Sequence, residues 1–223
     1  MGEIKNLLVD TVCPHCHKAE KSRIWLSFNN KENKRITKRV IDDTFFDKIC
    51  SNCGKLYYLD FTTIYRDETR GKAVCYVANE EEFVDLSVAF ENKDLPDEYK
   101  DVVKSNLRLV RDRNVFREKI RIFSMDMDDK TIEVLKVYAI ETLRKEGCDM
   151  EIKQVLCWIT DDYELSFSFF DCNGKSYDDC LTLPFETYAS INNIIEEIFE
   201  KENKPGYIVD LDWAMEFVVE NEI

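Results

Sequence analysis

Cys13-Pro14-His15-Cys16-His17 and Cys50-Ser51-Asn52-Cys53-Gly54 are two Cys-x-x-Cys turns in a chain of 223 residues, and they decide how its first part folds. Two residues between thiols let one tight turn aim both sulfurs at a single cation while backbone N–H groups of the turn bond the sulfurs. Two such turns complete a tetrahedron, so Cys13, Cys16, Cys50 and Cys53 are the candidate metal ligands. Zn2+ suits four thiolates because it has no d-electron geometric preference and needs no redox chemistry. A closed shell of four protein ligands leaves no position for a reacting water, so one structural zinc ion is expected. Two alternatives stay open: His15 or His17 in place of a thiolate, and iron in place of zinc. Gly54 supplies the positive φ that such a turn requires, whereas His17 does not, and a different first turn is expected.

The flanks of both turns read as strands. Leu7-Leu8-Val9 and Ile24 to Phe28 bracket the first pair, and Asn29 to Lys38 reads as an exposed loop. Phe45-Phe46 leads into the second pair, and Leu56 to Tyr65 and Ala73 to Val77 carry the β-branched and aromatic residues of strands. From Leu95-Pro96-Asp97-Glu98 the pattern becomes helical, with proline in a first turn and acids to complement the dipole. Asn106 to Phe123 continues it on Leu109, Phe116, Ile120 and Phe123. Asp128 or Asp129 caps a helix whose inner face is Ile132, Leu135, Ala139 and Leu143, closed by Gly147. Leu165, Phe167 and Phe169 then alternate with serines, and Asn173-Gly174 turns the chain toward Tyr177 to Leu183. A helix over Tyr188 to Phe199 precedes Tyr207 to Asp210 and a last segment holding Trp213. The expected class is α+β, a β module followed by helices and a C-terminal antiparallel sheet with helices.

The order Cys13-Pro14-His15-Cys16, Trp25, Phe45-Phe46, Cys50, Cys53-Gly54 and Tyr65-Arg66-Asp67 resembles the CpXC domain family. Asn114 to Ile120, Asp128 to Glu133 and Val209 to Ala214 extend the likeness. The resemblance implies a zinc-ribbon-like site on the four cysteines and a bacterial or archaeal source, but no reaction or substrate. The expected division is a zinc-ribbon-like domain over 8–123, β-rich to about 79 and then helical, with 124–223 an α+β region packed on it. Ser51 in place of proline and His17 in place of glycine depart from the family's Cys-Pro-x-Cys-Gly pattern and bear on turn geometry rather than ligand identity.

Charge and composition narrow the function. Nine cysteines in a chain with no apolar leader fit reduced thiols and a cytoplasmic location better than a disulfide framework. Cys75, Cys148, Cys157, Cys172 and Cys180 have no paired spacing and read as small apolar residues. Net charge is −14. Residues 1–72 hold 14 Lys and Arg against 10 Asp and Glu, a balance of +4, and the remainder, 17 against 35, stands at −18. An anionic surface repels phosphate backbones. Both histidines lie in or beside the first turn, which leaves no imidazole base for a hydrolase.

The expected role is a zinc-stabilised module that holds a protein partner, with no membrane span and no enzymatic activity assigned. One alternative is thiol–disulfide exchange at Cys13-Pro14-His15-Cys16, where a histidine between the thiols favours a thiolate. The other is nucleic-acid binding through Lys31, Lys34, Arg35, Lys38 and Arg39, with Trp25 or Phe28 as the stacking surface.

Overall fold

In the computed structural model the described residues are 5–92, 97–100, 106–177, 180–199 and 206–223. The chain divides into two compact units, Met1–Ser124 and Met125–Ile223, and helices and sheets occur in both, which makes the class α+β.

In the first unit the elements are β1 (Lys5–Val12), β2 (Ala19–Asn29), α1 (Lys34–Ile41), β3 (Asp47–Ile49), β4 (Leu56–Tyr58), β5 (Thr63–Asp67), β6 (Lys72–Tyr76), α2 (Glu80–Glu91), α3 (Asp97–Lys100), β7 (Asn106–Val110) and α4 (Arg113–Ser124). Five strands form a mixed sheet in the order β1-β2-β5-β6-β7, and β3 pairs with β4 alone. The β1–β2 hairpin is antiparallel and long, but β2 meets β5 only at Ser27, Phe28 and Asn29. The far part of that ribbon therefore extends past the sheet and carries its turn with it.

An aromatic cluster ties the sheet to the base of the β3–β4 hairpin. Phe28 stacks against Phe45 and Tyr65, Phe45 and Phe46 both meet Phe61, and Phe46 meets Tyr76, which touches Phe116 of α4, with ring centroids 4.8–5.7 Å apart. Such tilted and edge-on pairs contribute beyond their buried area. Phe45 and Phe46 thus fix where the second cysteine turn begins.

Two expectations are corrected here. Lys34 onward is helix rather than loop: Thr37 and Val40 turn inward, and Lys34, Arg35 and Lys38 occupy the outer face. Asn106–Val110 is a strand, not the start of a helix. It pairs parallel with β6 as a nearly all-buried run, and helical spacing starts only at Arg113. The predicted helix start at Leu95-Pro96 lies outside the described residues, and α3 begins at Asp97.

In the second unit α5 (Asp129–Lys145) is capped by the Asp128 carboxylate, which accepts the Lys130 N–H, and it buries Ile132, Leu135, Ala139 and Leu143. A three-stranded antiparallel sheet runs β10-β9-β8, from β8 (Gln154–Ile159), β9 (Leu165–Phe170) and β10 (Leu181–Leu183). Leu165, Phe167 and Phe169 are fully buried, as their alternation predicts. The chain continues in α6 (Phe185–Phe199) and α7 (Leu211–Glu220). Val134 of α5, Ile195 of α6 and Ala214 and Phe217 of α7 make one core cluster, capped by stacked Phe199, Trp213 and Phe217. The last segment with Trp213 is therefore a helix, opened by an Asp210 cap. Among the described residues no helix is long and apolar enough to cross a membrane.

Truncating Phe46, which touches three rings, should cost about 3–5 kcal/mol. Truncating exposed Val84 should change stability by less than about 0.5 kcal/mol. Urea midpoints of Phe46→Ala and Val84→Ala compare the two, and equal midpoints would remove the aromatic cluster as the anchor.

Candidate metal centre

The first Cys-x-x-Cys turn joins β1 to β2, and the second joins β3 to β4. Each turn is closed in the same way. Cys13 N–H donates to the Lys18 carbonyl at 3.1 Å and His17 N–H to the Cys13 carbonyl at 2.9 Å. In the second, Cys50 N–H donates to Lys55 at 2.9 Å and Gly54 N–H to Cys50 at 3.0 Å. The residue after each second cysteine lies in the left-handed region, His17 at φ 57° and Gly54 at φ 71°. The first turn is thus not a different turn: His17 adopts the conformation that glycine would take freely.

The two tips meet. Cys13 Sγ lies 3.7 Å from Cys53 Sγ and Cys16 Sγ 3.7 Å from Cys50 Sγ, and all four sulfurs fall within 4.8 Å of one another. A disulfide needs about 2.05 Å, and all four thiols are free. Zn–S bonds of about 2.3 Å in a tetrahedron set sulfurs about 3.8 Å apart, so the donor set fits a divalent metal.

The surroundings favour the sulfur anions unequally. Cys16 is lowered to about 6, foremost by a backbone hydrogen bond from Lys18, with the Asn52 amide helping against desolvation. At Cys50 backbone N–H groups of Cys53 and Asn52 favour the thiolate, yet burial and the adjacent Cys13 and Cys53 prevail and push it up to about 12. Four thiols this close cannot all ionise without a cation between them.

Contacts around the cysteines join hairpin to hairpin. Glu20 of β2 accepts from Ser51 N–H at 3.2 Å and from the Tyr57 hydroxyl at 3.0 Å, with Lys48 3.9 Å away. Its carboxyl is held below its ordinary value, first by the Ser51 N–H, so its contribution is complete at neutral pH and is lost as pH falls through and below the usual carboxylate range. Lys18 donates to Asn52 at 2.8 Å, and His15 Nε2 bonds the Leu56 carbonyl at 3.0 Å. His15 is therefore a brace rather than a ligand, and His17 is exposed. Glu20, Tyr57 and Asn52 carried no motif that sequence reasoning could use, because their meaning depends on which distant turn they face.

Of the remaining cysteines, Cys75, Cys148 and Cys157 are buried, and Cys172 and Cys180 are exposed. Three of the five residues of the basic segment are engaged locally, and Lys34 and Arg35 are exposed. Lys38 pairs with Asp42, Lys31 lies 4.0 Å from Glu68, and Arg39 donates to the carbonyls of Thr44, Phe45 and Asp47. Phe28 is 1% exposed inside the aromatic cluster and offers no face to a base.

The fold and site together define an α+β protein with a four-cysteine cluster spaced for a metal ion. The chain belongs to the CpXC family, whose model, described as CpXC protein, matches residues 11–136. Comparison with curated proteins and with solved structures gives no match to either.

Two changes test the site's geometry. A non-glycine residue at positive φ costs roughly 1 kcal/mol, so in the metal-free protein His17→Gly should stabilise and Gly54→Ala destabilise by up to about that amount. Denaturant unfolding of both variants checks this, and a neutral Gly54→Ala would contradict it. Glu20→Ala should speed metal loss to a chelator far more than Tyr57→Phe, with circular dichroism unchanged. Equal rates in the two variants would show that Glu20 is not the main brace.

Proposed function

We propose that the chain is a zinc protein in which Cys13, Cys16, Cys50 and Cys53 hold one structural Zn2+, and that the braced pair of hairpins is a module for holding a protein partner. The observation that carries the zinc assignment is the pair of 3.7 Å sulfur separations joining two hairpin tips that no strand pairing connects. When bound, zinc neutralises the clustered thiolates and contributes folding free energy. Backbone N–H groups of the turns orient the sulfurs, and Glu20, Lys18 and His15 hold one tip against the other.

The partner surface is the outer face of the β3–β4 hairpin. Lys48 and Tyr57 face Glu20, so their strand neighbours Ile49, Leu56 and Tyr58 point the other way, 66%, 46% and 62% exposed. The Arg113 guanidinium lies 5.3 Å from the Tyr58 ring. Tyrosine and arginine are the residue types enriched at interface cores, and here exposed Tyr58 with half-buried Arg113 beside it is flanked by exposed Ile49 and Leu56.

Thiol–disulfide exchange is less well supported. A helix N-terminus is one source of the low pKa in reactive Cys-x-x-Cys motifs; Cys13 and Cys16 sit instead on a strand-to-strand turn, and each sulfur lies 3.7 Å from one of the other turn.

Elemental analysis of purified chain should give one zinc per chain, and iron, or no metal with all thiols reduced, would contradict the assignment. Because thiol protons must leave as metal enters, affinity should fall as pH drops. Competition with a chromophoric chelator between about pH 6 and pH 8 reads this. A protein captured by the wild-type chain should be lost with Tyr58→Asp while zinc content stays at one. Retention would discard this face as the partner surface.

A further inference from the structure

We propose that β1 is a self-pairing edge, through which two copies of this chain join their sheets antiparallel about a two-fold axis at Leu8. β1 lies at the end of the five-stranded order, and among the described residues no strand covers its outer side. Leu7 and Leu8 are both strongly exposed, Leu8 at 59%. An edge of this kind is normally blunted by charge, proline or a bulge; here the charge of Lys5 and a register shift between Lys5 and Asn6 stand at the strand's start, and from Asn6 to Val12 it holds one charge, Asp10, in continuous register with β2.

The backbone is set up for it. Cys13 N–H bonds the Lys18 carbonyl across the hairpin. Alternation along an antiparallel ladder therefore turns Leu7, Val9 and Thr11 toward β2 and leaves the donors and acceptors of Asn6, Leu8, Asp10 and Val12 on the open side. Two-fold pairing in the plane of a sheet keeps each face on its own side, so only even shifts of register are available. One of these places Leu8 opposite its own copy, Leu7 opposite Val9 and Asn6 opposite Asp10. Every member of the Leu7-Leu8-Val9 run then meets an apolar residue. In this register the Asn6 amide, whose oxygen accepts from Arg23, faces the Asp10 carboxylate of the other copy, which keeps Lys21 at 3.0 Å on one oxygen. A shift of two residues either way sets Asn6 or Asp10 against Leu8 and loses that match.

The contact is a single strand pair, small beside obligate interfaces, so the association is a concentration-dependent equilibrium. It involves no metal ligand and stands or falls apart from the zinc assignment.

Sedimentation velocity of the full zinc-loaded chain should show its weight-average mass rising from 26.4 kDa toward twice that value with concentration. Leu8→Lys places like charges directly opposite each other and should raise the dissociation constant by about tenfold or more. Val84→Lys, on exposed α2, should leave it unchanged. Amide exchange at Leu8 and Asp10 should slow as concentration rises, while exchange at Val9 stays slow throughout. A monomer at every concentration, or a dimer that survives Leu8→Lys with Leu8 exchanging freely, would overturn the proposal.

Discussion

Four sulfurs brought within 4.8 Å of one another form a donor set whose charge a divalent cation would balance. Thiolates this close repel, and thiols this close waste the N–H groups aimed at them. The two tips that carry them belong to different sheets, so no strand pairing holds them together. What joins the β3–β4 hairpin to the β1–β2 ribbon is the sulfur cluster, the side-chain contacts of Glu20, Lys18 and His15 beside it and the aromatic cluster beneath.

The layers of this arrangement support one another. Phe45 and Phe46, buried against Phe28, Phe61 and Tyr76, set the base of the second hairpin. Arg39 of α1 donates to three carbonyls at that base, so a residue that looks like a phosphate contact in sequence is spent on the fold. Glu20, a single carboxylate on β2, reaches the second turn through Ser51 and the strand behind it through Tyr57. Cysteine positions are thus set from below by rings, from the side by a carboxylate and within each turn by the backbone.

Local patterns were legible in the sequence, and partner-dependent ones were not. The spacing within each Cys-x-x-Cys turn, the Asp128 cap with the buried face of α5, and the alternation of Leu165, Phe167 and Phe169 are short-range, and the structure bears them out. The strand Asn106–Val110 was hidden because it is buried almost throughout, and a short apolar run has no period to separate it from helix. Helix α1 was hidden by charge: only Thr37 and Val40 turn inward among its basic residues. Propensity argues against positive φ at His17, and closure of the turn overrides it. Glu20 gave no signal, because its partners at Ser51 and Tyr57 lie thirty-one and thirty-seven residues away.

The β3–β4 hairpin has so short a ladder that its own strand pairing is marginal, so the proposed metal clasp would contribute much there. X-ray absorption at the metal edge of the purified protein tests that clasp most directly. The account predicts zinc with four sulfur scatterers at about 2.3 Å and no nitrogen or oxygen in the shell. A mixed shell, fewer sulfurs, or sulfur–sulfur bonds in place of metal would contradict it.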